Sequence, residues 1–164
     1  MDALNCIFTK RETRAFQDKQ VPEEDILKIL EAGRLAGSAK NRQPWDFILL
    51  TNREKLEGLS RFGNHAEHLA KASFAVVIAI KGDYFQDSFD AGRAAQNMML
   101  AAHALGIGSC PVTLHDEAGA KGFLGVPEDR RIQVCIAFGY PAETRRKGRV
   151  KRKPLEEILH RNRW

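Results

Sequence analysis

The sequence predicts an α+β domain in which a central mixed or antiparallel sheet of four or so short strands is flanked by helices. Three observations lead there. Two continuous apolar runs of strand length, 73-SFAVVIAI-80 and 131-RIQVCIAFG-139, have the composition of strands buried on both faces. Segments of helical period precede, separate and follow them, and neither internal repeats nor low-complexity linkers interrupt the alternation. Finally, 164 residues at 43% hydrophobic content suit one core, so a single domain over residues 1–164 is expected.

The elements follow in order. Pro22 with Glu23, Glu24 and Asp25 reads as a helix start, because proline is tolerated in the first turn and acids are favoured there by the macrodipole. Ile26, Ile29, Leu30 and Gly33 then form one face, carrying the helix to about Leu35. Residues 46–51, DFILLT, read as a strand that Trp45 begins, and 53-REKLEGLSRF-62 as an exposed helix. Pro44 pushes Gln43 towards extended backbone. After the central strand at 73–80 comes a long helix over residues 87–105, free of proline, rich in Ala, Met and Leu, and closed by Gly106. It is apolar around much of its girth, which predicts burial on most sides and, in a small protein, a subunit interface. A short segment, 107-IGSCPVT-113, leads to a polar helix near residues 116–124 and then to the second central strand at 131–139.

Charge and cysteine content narrow the function classes. The net charge of +5 lies largely in 145-RRKGRVKRK-153 and in Lys10, Arg11 and Arg14. No zinc finger, RRM signature or KH loop accompanies these clusters, and the 145–153 block runs directly into 154-PLEEILH-160, which reads as structured. Two basic clusters flanking one core can instead converge on a small anion. Cys6, Cys110 and Cys135 are odd in number, far apart and set among apolar residues, so they predict buried thiols rather than disulfides or a metal site. With no apolar run near the ~20 residues that span a bilayer and no signal peptide at the start, a soluble cytoplasmic protein is expected, with no membrane or nucleic-acid partner.

Function has to come from the loops. The junction 37-GSAKNRQPWDF-47 joins a helix to a strand, and loops held on a rigid scaffold often carry function. Taken alone, an ordinary helix-to-strand loop with an anchoring Trp45 explains it at least as well. Four segments in order change that balance: 10-KRETRAF-16; 37-GSAKNRQPW-45; 90-DAGRAAQN-97 with 106-GIGS-109; and 139-GYPAE-143 with 152-RKPLEE-157. Their order and composition over nearly the whole chain resemble the nitroreductase family of FMN-dependent enzymes.

The resemblance implies a nitroreductase-like fold, FMN as cofactor, NADH or NADPH as transient hydride donor, and a homodimer with composite sites. It points to Lys10, Arg11, Arg14, Lys151 and Arg152 around the phosphate, where guanidinium groups give charge-assisted and often bidentate hydrogen bonds. Ser38 and Asn41 offer groups that donate and accept to the ribityl chain and ring edge, and Gly37 and Ala39 leave room for close approach. In the family this loop reaches the flavin held by the other subunit. Backbone amides of the segment containing Pro111, Val112 and Thr113 fall near the ring. Two departures stand out: Glu12 occupies the place of a small hydroxyl, where it pairs with Lys10 or turns to the ribityl hydroxyls, and Gly37 replaces a proline.

His65 and His68 fall where relatives place residues near the flavin edge, although a surface pair at i, i+3 on a helix accounts for them better; no carboxylate joins them at ligand spacing, so no metal is expected. No Rossmann fingerprint is present, since 106-GIGSCP-111 lacks the third glycine and no helix follows it directly. The chemistry expected is therefore the flavin's own: hydride taken from NAD(P)H and passed by a ping-pong route to nitroaromatic, quinone or similar acceptors. Short connections at 81–87 and 113–124 imply an open pocket of low acceptor specificity. Dehalogenation or oxidative ring closure on the same fold, or a basic polyanion-binding module without redox activity, are the alternatives.

Overall fold

The computed structural model describes residues 2–142 and 151–164. Glu143 and residues 145–150 of the basic run lie outside the described residues. Elements run α1 (Ala3–Thr9), α2 (Glu23–Arg34), β1 (Trp45–Leu50), α3 (Arg53–Ser60), β2 (Phe74–Ile80), α4 (Asp87–Ala104), β3 (Gly108–Val112), α5 (Glu117–Leu124) and β4 (Arg131–Gly139). Short 3-10 turns at Ala39–Asn41, Glu67–Lys71 and Leu155–Glu157 complete the set.

The four strands form one sheet in the order β1-β2-β4-β3, and every neighbouring pair is antiparallel. β2 and β4 are the centre, and all seven residues of β2 are buried. Its continuous apolar run divides by period two between two cores. Phe74, Val76, Ile78 and Ile80 join Ile136 and Phe138 under α2 and α4, whereas Ala75, Val77, Cys135 and Ala137 lie under α3 and the 67–71 turn. The rings of Phe74 and Phe138 stack at 4.7 Å with planes 5° apart. The result is a three-layer sandwich, helices on each face of one sheet.

Helix α4 is buried largely by its own chain. Ala91, Ala94, Ala95, Met98, Met99 and Ala102 are buried between the sheet and α2. Gly33 permits that closeness, because a Cβ there would lie 2.2 Å from Met98 Cε. The apolar girth read from sequence is therefore satisfied in large part by α2. Exposed apolar side chains include Leu4, Ile7 and Phe8 on α1, Phe85 and Phe89 beside and on the first turn of α4, and Leu155, Ile158, Leu159 and Trp164 near residue 164.

Two elements were not legible as such in the sequence. β3 is a strand where the residues showed only a short connection, and α1 is a helix capped by Asp2, whose carboxylate accepts the Asn5 N–H at 2.9 Å. Gln43, expected to be extended before Pro44, has φ +48° instead, because its N–H donates to Ser38 Oγ at 2.9 Å and closes the loop on itself. The turn carrying His68 is 3-10 rather than a regular helix. The 154–160 segment, expected to be structured, supplies only the turn at Leu155–Glu157. Helix α3 begins as its sequence dictates, with Asn52 Oδ1 accepting the Lys55 N–H at 3.1 Å. Asn52→Ala should cost about 1 kcal/mol and lower the melting temperature by roughly 2–4 °C, as measured by calorimetry.

Candidate cofactor site

The N-terminal basic segment is laid along the free edge of β3. Glu12 forms a parallel bridge with Ser109, the Thr13 N–H donates to the Ser109 carbonyl at 2.9 Å, and Phe16 bridges to Pro141. Glycines make the approach possible: a Cβ on Gly108 would meet Thr13 at 2.8 Å, and one on Gly139 would meet Phe16 at 2.9 Å. The sheet edge thereby brings the first and third sequence landmarks into contact.

The basic residues of this segment have different tasks. Lys10 Nζ sits 2.5 Å from Glu12 Oε1 and 3.6 Å from Met99 Sδ, with its side chain only 8% exposed. Of the two orientations open to Glu12 in the sequence, the structure shows the pair with Lys10. Arg11 donates to the carbonyls of Phe8 and Lys10 at 2.8 and 2.7 Å, satisfying orphan acceptors at the end of α1. Arg14 has no hydrogen bond or ion pair among the described residues and is exposed. Lys151 and Arg152 are likewise exposed and without such partners among the described residues.

Arg14 instead lines an open hollow of about 450 Å³ with His65, Glu67, His68 and Lys71. The two histidines reach it on the turn before β2, which is positioned by the far end of β3. Gly63 packs on the Thr113 carbonyl, the Asn64 N–H donates to His115 Nδ1 at 3.1 Å, and the Asp116 N–H donates to the Phe62 carbonyl at 3.0 Å. Pro111 and Thr113 are exposed on that strand and its end, while the Val112 side chain is in the core.

His65 is exposed, but His68 is 9% exposed, and its Nε2 is buried without a hydrogen-bond partner among the described residues. Burial, then the Arg14 charge, pushes the His68 pKa down, against the opposing pull of Glu67 and a backbone hydrogen bond to His65. The pair is thus not simply a surface pair. Cys110, in β3 close by, has its thiol pushed up by burial, and Cys135 is pushed up to about 12 by burial, so neither is a thiolate at neutral pH. Among the described residues no cluster of His, Cys, Asp and Glu could hold a metal ion.

The second landmark is held apart from this hollow. Asp90, buried in the first turns of α4, accepts the Ala39 N–H at 2.8 Å, and Arg42 reaches Asp83 at 3.1 Å and Asp87 at 3.8 Å. Lys40, Asn41 and Gln43 all have positive φ, at 52, 54 and 48°, an uncommon concentration for non-glycine residues and a mark of a functionally constrained loop. Ser38 Oγ is committed to Gln43, whereas the Asn41 side chain is exposed with no partner among the described residues. The space above Gly37 is taken by the Arg93 guanidinium, 2.4 Å from where a Cβ would stand, so that room is filled within the chain. The loop meets α4 at Asp90 and the basic segment meets it at Met99, nine residues on, about 13 Å along the axis. The anchoring role of Asp90 was not assigned from sequence; its position in an acidic first helical turn was the available signal.

An antiparallel sheet between helical layers, with a cationic hollow at one edge and a strained polar loop at another, defines a small-ligand α+β fold. The family model described as Nitroreductase family matches residues 7–82 and 63–140. An Archaeoglobus fulgidus protein provisionally named NADH dehydrogenase/NAD(P)H nitroreductase is 33% identical over 172 aligned positions, covering 99% of each chain. A Methanothermobacter thermautotrophicus protein with the same provisional name is 36% identical over 87% of this chain and 79% of its own length. Among solved structures, an FMN-dependent nitroreductase of Clostridium difficile R20291 superposes with a TM-score of 0.90 at 27% identity, over 98% of this chain and 99% of that one. The chain belongs to the nitroreductase family.

Proposed function

We propose that this protein is an FMN-dependent NAD(P)H oxidoreductase that reduces nitroaromatic, quinone or similar acceptors by a ping-pong route. The observation that carries the reading is the open hollow that Arg14, free of any hydrogen-bond or ion-pair partner among the described residues, lines together with His65, His68 and Lys71. A phosphate dianion and a flat ring with a hydrogen-bonding edge need such groups. The names of the relatives, which specify NAD(P)H and FMN for those proteins, agree with it.

The donor set fits the cofactor. Of the cations named from the sequence, Arg14, Arg152 and Lys151 are left uncommitted among the described residues, so they would carry the phosphate, with Lys10 occupied by Glu12 and Arg11 by the α1 carbonyls. The Asn41 amide and the backbone of residues 38–39 would serve the ribityl chain, and backbone groups of residues 111–113 would border the ring. When bound, FMN supplies the two-electron chemistry. The chain's task is to orient the ring, keep one face open and hold charge at its edge. The hollow is open, in keeping with broad acceptor use.

The active form we infer is a homodimer in which residues 37–41 of one chain complete the site of the other. Every described residue from 151 to 164 is exposed, including Leu155, Ile158, Leu159 and the 98%-exposed Trp164, and α1 presents Leu4, Ile7 and Phe8. Apolar surface of that kind on a folded chain marks an interaction site, and a second copy is the commonest occupant. No helix among the described residues is long and apolar enough to cross a membrane, and the reading places the enzyme in the cytoplasm.

The test is the visible spectrum of the purified protein. It should show bound flavin that bleaches anaerobically with NADH or NADPH and recovers with a quinone. Failure to retain or rebind FMN at micromolar concentrations overturns the reading and favours a polyanion-binding module.

A further inference from the structure

We propose, resting on the FMN reading above, that Glu12 sets how strongly the site prefers FMN over riboflavin, the same flavin without its phosphate. Its carboxylate cancels the charge of Lys10 next to Arg14, and so holds down affinity for a phosphate dianion.

The N-terminal segment places three charges together on the edge of β3. Glu12 is fixed there by its bridge to Ser109 and by the Thr13 N–H, which donates to the Ser109 carbonyl at 2.9 Å. Lys10 and Arg14 lie two residues to either side, so each Cα is within about 7 Å of that of Glu12. The Cys110 thiol, shifted first by burial, also feels Arg14, Glu12 and Lys10, so one point on β3 is within reach of all three charges.

Of the three, Lys10 and Glu12 are joined and Arg14 stands apart. Lys10 Nζ lies 2.5 Å from Glu12 Oε1 and is backed at 3.6 Å by Met99 Sδ, a weak acceptor. The Lys10 side chain is 8% exposed and that of Glu12 43%. The pair is therefore a dipole with its cation set inward against α4 and its carboxylate outward. A nearly buried ammonium needs a partner, and here the partner is a carboxylate of the chain instead of a phosphate oxygen of the ligand. An anion coming to Arg14 meets the negative end of the pair first, and the Lys10 charge behind it is offset.

Riboflavin and FMN share the ring and the ribityl chain, so the phosphate alone separates their affinities. A unit charge about 7–10 Å from a dianion, at the high effective dielectric of a protein surface, changes affinity by roughly three- to thirtyfold. Removing the negative member of the pair leaves Lys10 unopposed and raises the preference for FMN. Removing the positive member leaves Glu12 unopposed and lowers it. Removing both keeps the neutral sum of the wild-type pair.

The experiment titrates apoprotein with FMN and with riboflavin at neutral pH, follows the quenching of flavin fluorescence, and reads the ratio of the two dissociation constants. Glu12→Gln should raise the preference for FMN over wild type by about three- to thirtyfold, and Lys10→Met should lower it by a similar factor. The double variant should return to within about threefold of wild type, since the two effects are coupled through one pair. Both single shifts should fade at about 1 M salt, where charges are screened beyond about 3 Å. A side chain that only supports the fold would move both flavins alike and would not give opposite signs. If Glu12 accepts from the ribityl hydroxyls, Glu12→Gln weakens FMN and riboflavin together, which overturns the proposal. A ratio within about twofold of wild type in either single variant overturns it as well. Where one single variant does not fold, as judged by circular dichroism, the other decides. A wild type that binds no FMN overturns the functional reading and this proposal together.

Discussion

Arg14→Ala is expected to weaken FMN binding by roughly ten- to a hundredfold, the worth of a charge-assisted contact to a phosphate, with the fold intact. The structural reason is division of labour. Lys10 is tied to Glu12 and Arg11 to two carbonyls, so of the N-terminal cations only Arg14 is left to face the hollow. Equilibrium titration of apoprotein, read by quenching of flavin fluorescence, measures the effect, and unchanged affinity would show that the side chain does not reach the phosphate. The same variant tests the composite site. Asn41→Ala should bind poorly as well, and refolding the two variants together should restore binding at half the sites of each heterodimer. If mixing restores none while refolded wild type binds normally, the two residues do not come from different chains.

Phe74→Ala carries the second large effect. Phe74 is fully buried in the strand at the middle of the sheet and stacked on Phe138, with the residues of α2 and α4 closing over it. Removing the ring leaves a cavity that two packed layers cannot collapse, which should cost about 3–5 kcal/mol and lower the melting temperature by roughly 6–20 °C. Calorimetry of the two apoproteins at matched concentration gives the value. A loss below about 1 kcal/mol would mean that the layer beneath α4 closes over the gap.

Much of the fold was legible because periodicity and end signals agreed. The apolar runs at 73–80 and 131–139, the acidic start of α2 and the glycine after α4 each fixed an element to within a residue or so. β3 was missed because five residues, with Pro111 among them, show no alternation, and its identity depends on pairing with β4, which begins only after the whole of α5. Gln43 was misread because a local preference imposed by Pro44 lost to the hydrogen bond its own N–H donates to Ser38 Oγ. Of the site, the residues of the N-terminal segment and the turn with His68 could be named from likeness, but not their tasks. Whether Glu12 takes Lys10, and whether a histidine nitrogen is left without a partner, are decided by distances no one-dimensional pattern contains.

The order of strands has a bearing on synthesis. β2 pairs on one side with β1, made just before it, and on the other with β4, which begins only at Arg131. Between Ile80 and Arg131 the ribosome must add roughly 50 residues, a matter of some 3–10 s at ordinary elongation rates. For that interval the most apolar strand of the protein, seven residues without a charge, has an open hydrogen-bonding edge on the nascent chain. Helix α4 emerges during the same interval and can cover one face of the hairpin, but not the edge. Each nascent chain therefore passes through a stage at which neighbouring chains on one message can pair edge to edge, and chaperone contact or slow translation should matter most between the codons for β2 and β4.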